Sequence, residues 1–401
     1  MIVYIIIADF RGWEKIKRKN IFLIFTLFYL YFIMALFESS KGNFVPFFLE
    51  EFKITNAELS LVLSLNTVGC VIGSFLGGYF CEKFGHKFVY IAGSVLSTIG
   101  VLIAPFTSNI FMLGLFNFIF GIGRSAISVG VDSMVPVLSI GFESILMNIT
   151  HFTYGLGSFA GQNAYGNFLT QGVEWRRIYL FLGIFYVVSV ILSLIVKTPS
   201  IKVIKSEDSP MKNKMYKEPL IYMFMFAITF GLVTEAVINT WFISYIRSSY
   251  SLDPASAAKY ASIFFLMFAM GRLLGGFIVN KIGDSKGLQM FLLAGAVCIL
   301  AGLKLKSEGI MLIAMSGFFI SITFPTMMVI INSVFKQKSS LAIGYSVTLS
   351  NILYVIIFNL TGYLNDLLGT YAAFYVAPVS MIGCLTMLIL INKKVKNENY
   401  I

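Results

Sequence analysis

Apolar runs about as long as a bilayer is thick alternate with short polar tracts along the whole chain. At roughly 20 residues per crossing, twelve such runs emerge. Their approximate cores are 21–48, 57–80, 88–105, 109–131, 144–169, 177–197, 220–246, 257–280, 287–304, 309–333, 340–364 and 371–391. The pattern predicts an all-α membrane protein of twelve transmembrane helices. One polar interruption is longer than a loop: residues 198–219, mostly the tract KVIKSEDSPMKNKMYKEP, which reads as a linker between two halves of six helices.

Composition agrees. Only 12% of the 401 residues are charged while 58% are hydrophobic, about half the charged share of a soluble domain. The net charge of +11 could suggest a nucleic-acid partner, but the basic residues sit in short tracts between apolar runs and read as orientation signals. With the N-terminus inside, the cytoplasmic loops carry twenty Lys and Arg and the outer loops eight, with Arg124 and Arg272 inside spans. Both termini and the linker are therefore expected in the cytoplasm. The expected layout is a cytoplasmic segment 1–19, a six-helix bundle 20–197, the linker 198–219, a second bundle 220–391 and a tail 392–401.

Other signals are weak. Cys70, Cys81, Cys298 and Cys384 have neither metal-ligand spacing nor a disulfide pattern. The first residues lack the basic start and cleavage site of a signal peptide, so no cleavage is expected. Asn148-Ile149-Thr150 matches a glycosylation sequon at the cytoplasmic end of a helix, where it is discounted. No phosphate loop, HExxH helix or Ser-His-Asp set is present. The expectation is a non-enzyme without cofactor or metal, working as a monomer.

The halves repeat. Residues 73–85 read GSFLGGYFCEKFG and 271–283 read GRLLGGFIVNKIG, six identities in thirteen at an offset of 198. Glu38 in the first helix and Glu235 in the seventh are 197 apart. Six-helix halves related by a repeat, with a solute site between them, are the plan of a rocking transporter.

Candidate chemistry follows from polar residues at membrane depth, which are expensive there. Glu235 could bind a solute hydroxyl, carry a coupling proton, or form a structural ion pair. Glu38 is a second proton candidate, although Lys41 one turn on could neutralise it. Asn239 shares the face of Glu235, and Trp241 with Tyr245 could stack on a sugar ring or belong to an interfacial belt. The fifth helix carries His151, Gly155, Ser158, Gln162 and Tyr165 as one polar or small stripe. Gln162 is the better solute ligand, and His151 either titrates in the proton path or bonds a neighbouring helix. Asn66 and Asn351 are further ligand candidates, equally suited to holding helices together.

The tract Gly78-Tyr79-Phe80-Cys81-Glu82-Lys83-Phe84-Gly85-His86-Lys87 resembles the loop motif of the major facilitator superfamily, with Glu82 for the usual Asp and Lys83 for the usual Arg. The resemblance implies two pseudo-symmetric six-helix bundles, the major facilitator fold, and a cytoplasmic gate. Gly78, Glu82, Lys83, Gly85 and Lys87 would serve that gate, with Arg124, Asp132 and Arg272 placed near cytoplasmic helix ends as its salt-bridge partners. The second copy has Asn280 in place of the acid.

Further tracts resemble the fucose–galactose–glucose branch of sugar/proton symporters. They are Phe37-Glu38-Ser39-Ser40-Lys41-Gly42-Asn43-Phe44-Val45-Pro46, Met147-Asn148 through Gly157, Trp175-Arg176-Arg177, the Glu235 to Trp241 spacing, and Phe324-Pro325-Thr326. That resemblance implies import of a hexose-type sugar with a proton across the cell membrane. Gln162 follows Gly161 where a proline is usual, and Asp132 stands where the pattern has asparagine. The alternative is proton-driven efflux of drugs or amphipathic metabolites. A ligand sensor is disfavoured by the short linker.

Overall fold

The computed structural model describes residues 20–138, 143–199 and 217–397. The expected N-terminal segment, most of the linker, the end of the tail and the Asn280 side chain lie outside the described residues. Helices occupy the expected runs: α1 (Ile21–Phe52), α2 (Asn56–Phe84), α3 (His86–Ile103), α4 (Ile110–Leu138), α5 (Glu143–Thr170), α6 (Trp175–Ile195), α7 (Pro219–Tyr250), α8 (Pro254–Ile282) and α9 (Asp284–Lys304). Then come α10 in two pieces (Ile310–Ile320 and Thr323–Phe335), α11 (Ser339–Ala373, broken near its end at Gly369, φ +80°) and α12 (Val376–Asn397). The described residues contain no strand. Helices satisfy most backbone groups of a span internally, which is the construction a bilayer permits.

Eleven helices are long and apolar enough to cross a membrane among the described residues, and α5 falls short. Its polar residues, His151 and Gln162 with Asn148, Asn163 and Asn167, lower its hydropathy. Exposed Phe75, Phe111 and Leu367 present the apolar surface that lipid requires.

Helix ends follow local chemistry. Thr55 and Glu58 form a reciprocal capping box at the start of α2, with Glu58 N–H to Thr55 Oγ1 at 3.2 Å and Thr55 N–H to Glu58 Oε2 at 2.9 Å. Asp253 caps α8 by accepting from the Ala255 and Ser256 N–H groups at 2.9 and 3.1 Å, and the Ser256 side chain, together with these backbone bonds, holds its carboxyl below the usual range. Gly85 turns α2 into α3 at φ +82°, and its repeat counterpart Gly283 turns α8 into α9 at φ +99°. Both angles suit glycine alone at no steric cost.

Contacts divide the chain into two compact units. Among the described residues, one holds those up to Phe37, those within Leu65–Gly157 and 175–199; the other holds Glu38–Ser64, Ser158–Glu174 and 217–397. In the first, Gly69, Gly73 and Gly77 of α2 meet Phe118, Ile122 and Ala126 of α4 without room for a Cβ. That is the small-xxx-small packing of membrane helices. Phe37 stacks on Phe120, and the Tyr186 hydroxyl donates to the Ile33 carbonyl at 2.9 Å, in the same unit. In the second, Tyr245 stacks on Phe374 at 4.7 Å and Trp241 on Phe358 at 6.5 Å. Within this second unit, the ends of α1, α5, α7 and α11 and the starts of α2, α8 and α12 define what we call the distal end.

Candidate functional site

Within the second unit, the distal part of α1 carries a run of polar residues that apolar neighbours bury. Lys41 donates to Glu38 Oε2 at 2.6 Å one turn away. Asn43 Nδ2 donates to Gln162 Oε1 on α5 and to the Ser39 carbonyl at 3.2 Å. Gly42 lets the α1 backbone meet the Asn239 carbonyl on α7 with no space for a Cβ. Packing of α5 and α7 on α1 therefore brings Gln162 and Asn239 to the stretch of α1 that carries Glu38 and Asn43. Gln162 and Asn43 are almost fully buried, yet Gln162 Nε2, Asn43 Oδ1 and Asn239 Oδ1 have no hydrogen-bond partner among the described residues. Buried polar atoms normally have one.

Glu235 lies one turn from Asn239, half-buried. It lines a crevice with Gly231, Leu232, Ser321, Thr323, Phe324 and Met327 whose volume of about 10 Å³ suits a single water. Phe324 brings α10 to this crevice. Trp241 goes elsewhere: its side chain is 1% exposed, and its indole N–H donates to Thr361 Oγ1 on α11 at 3.1 Å. In this conformation its ring packs helices and offers no open face to a solute. Tyr245 is likewise enclosed, sharing a 2.7 Å hydroxyl contact with Tyr250. Asn351 lies half-buried on α11.

In the first unit, residues far apart in the sequence meet. The Tyr31 hydroxyl donates to Asp132 Oδ1 at 2.5 Å, and Ser128 Oγ donates to Asp132 Oδ2 at 3.2 Å. His151 Nε2 stands 4.0 Å from Asp132 Oδ1, with its ring edge-on to Tyr31 at 5.4 Å. The carboxylate and imidazole are both partly exposed, so α1, α4 and α5 jointly hold an acid–histidine pair that is not sealed in the core. Tyr31 and Ser128 carry no motif, and only the packing shows them.

Asn66 is part of the packing. It is 2% exposed, its Nδ2 donates to the Asn117 carbonyl at 3.1 Å, and Gly121 leaves no space beside its own carbonyl. Asn66→Ala is expected to cost about 0.5–1.5 kcal/mol, as interhelical hydrogen bonds do. It should lower the thermal midpoint and leave the half-saturating solute concentration unchanged; uptake kinetics with melting curves check both.

The gate tract forms the expected turn. Lys83 Nζ donates to the Tyr79 hydroxyl at 3.1 Å and sits 5.3 Å from the Phe84 ring. Glu82 is exposed, Lys87 is half-buried, and Gly78 has open space around it. Glu82 forms no salt bridge among the described residues. Arg124 corrects its expected place. It lies midway along α4 rather than near an end, with Nη2 donating to Cys70 Sγ at 3.0 Å. Arg272 stands about two-thirds along α8, stacked over Phe268 at 4.6 Å.

Twelve helices among the described residues, in repeated halves and with polar and ionisable side chains buried between them, are the framework of a polytopic membrane transporter. The sequence profile of the Major Facilitator Superfamily matches residues 27–306 and 237–400, and the chain belongs to that superfamily. A putative glucose/galactose transporter of Helicobacter pylori is 24% identical over 77% of this chain and 81% of its own length. A hexuronate transporter of Bacillus subtilis is 23% identical over 89% and 90%. The crystal structure of an Escherichia coli fucose:proton symporter superposes with a TM-score of 0.65 at 16% identity, covering 93% of this chain and 99% of that one.

Proposed function

We propose that the protein carries a neutral, hydroxyl-rich solute of hexose size together with a proton, by alternating access across the cell membrane, with both termini in the cytoplasm. The observation that supports this reading is the buried amide cluster of Asn43, Gln162 and Asn239 on α1, α5 and α7. A carboxamide offers a donor and an acceptor on one head, which matches a hydroxyl that is both. The unpartnered atoms of these three residues would find partners on a sugar. Glu235, one turn away, is the acidic ligand and proton carrier in this reading. The Asp132–His151 pair is the second proton station, because imidazole changes charge near neutral pH. Glu38 is the weaker candidate: a proton arriving there would have to break the pair with Lys41.

A second reading is a carboxylated sugar, favoured by the guanidinium of Arg124 midway along its helix. One experiment separates them. Thermal shift of the purified protein against hexoses, hexuronates, polyols and amphipathic drugs should give its largest rise with neutral hexoses, since a ligand of the native state stabilises it. The rise should vanish in Gln162→Ala. A rise with hexuronates that vanishes in Arg124→Gln moves the assignment to the acid. A response confined to drugs overturns both.

A further inference from the structure

The distal starts of α2 and α8 are repeat-related. Asn56, Ala57 and Ser60 correspond, at the 198-residue offset, to Pro254, Ala255 and Ala258. The first N–H groups of any helix lack acceptors within it, and at both starts another helix supplies one. On α2, Asp366 of α11 accepts from the Asn56 N–H at 2.9 Å, from Asn56 Nδ2 at 2.7 Å and from the Ala57 N–H at 2.8 Å. On α8, Thr170 of α5 accepts from the Ala255 N–H at 2.9 Å, a donor that Asp253 also engages.

Beside each bond the two backbones touch at a glycine. A Cβ on Gly362 of α11 would lie 2.5 Å from the Asn56 carbonyl oxygen and collide with Ser60. One on Gly166 of α5 would collide with Ala258 and lie 3.0 Å from the Pro254 carbonyl oxygen. The α2–α11 joint has more: Asn359 Nδ2 donates to Ser64 Oγ at 3.3 Å, and Ser60 Oγ donates to the Asn359 carbonyl at 3.4 Å. The same joint has been built twice, each time between a helix of one sequence half and a helix of the other. All of these residues belong to the second compact unit.

The copies differ in strength. Asp366 is a charged acceptor that engages three donors at the positive end of a helix dipole, the arrangement in which charge-assisted bonds are strongest. Thr170 is a neutral hydroxyl sharing one donor. We infer that Asp366 is the principal latch of the distal end, holding α11 on α2 while that end is closed, and that the Thr170 joint is its weak repeat. Opening the distal end to a solute then requires breaking the Asp366 bonds, so this carboxylate sets how often the distal end opens. The inference rests on the alternating-access reading but on no particular solute.

Amide hydrogen exchange of the full chain in lipid nanodiscs, without added solute, tests it. Asp366→Asn should speed exchange at least fivefold in peptides covering 53–64 and 355–372. Asn56→Pro should do the same, because proline is tolerated in a first helical turn yet removes the N–H and the side-chain amide together. Thr170→Val should change its joint less than twofold. Peptides from 86–103 should keep their rates in every variant. The Asp366→Asn/Asn56→Pro double variant should exchange about as fast as the faster single one, since both break one latch. Unchanged rates in both single variants overturn the inference. So do multiplicative effects in the double variant, a larger response to Thr170→Val than to Asp366→Asn, or faster exchange at 86–103. A failure of sugar uptake bears on the proposed solute and leaves these rates untouched.

Discussion

Glu235→Gln is expected to abolish uphill accumulation while leaving exchange of solute across the membrane intact. One proton carried down 100 mV supplies about 2.3 kcal/mol, enough for roughly fifty-fold accumulation at 1.4 kcal/mol per tenfold. A glutamine keeps the size and hydrogen bonding of the side chain but cannot release a proton. The inside-to-outside ratio of labelled solute should therefore fall to about one, with counterflow preserved. Glu235 is placed for this role: it lies on the crevice by α10 and one turn from Asn239. Wild-type accumulation in Glu235→Gln would remove it from the proton path and leave the Asp132–His151 pair to carry it.

Gly42→Val is expected to have the second large effect. At Gly42 the α1 backbone meets a main-chain carbonyl of α7, Asn239, which cannot swing aside as a side chain does. Overpacking a site of this kind costs about 1–3 kcal/mol, occasionally more. It should fall on the conformation in which α1 and α7 touch. Transport velocity should drop at least tenfold, with a smaller loss for Gly42→Ala, while the melting point of the protein moves by only a few degrees. Undiminished velocity in Gly42→Val would show that this contact is not visited during the cycle.

Much of this architecture is written along the chain. Hydrophobic run length places all twelve helices, and the repeat of 73–85 with 271–283 marks the two positive-φ turns at Gly85 and Gly283. The i+3 spacing of Glu38 and Lys41 is enough to bring their charges together on one helical face, where they pair. The spacing from Glu235 suggests Trp241 as a second solute ligand, but six residues turn a helix through about 600°. The indole is thus set roughly 120° away from Glu235, towards Thr361. Arg124 departs from its expected place because α4 continues past its apolar core, through Asp132 and Pro136 to Leu138, which puts the guanidinium at the middle. Partners from distant stretches leave no local trace. The meeting of Asp132 with His151, the amide contact of Asn43 with Gln162 and the bonds of Asp366 to Asn56 all depend on which helices pack together.

The central claim is that solute and proton move together. Purified protein in liposomes with a trapped pH-sensitive dye, given a hexose from outside with no gradient imposed, measures that directly. Symport predicts acidification of the lumen on hexose addition, absent in Glu235→Gln and absent for amphipathic drugs. Luminal alkalinisation, the sign of antiport, or a steady pH during measurable hexose entry would contradict it.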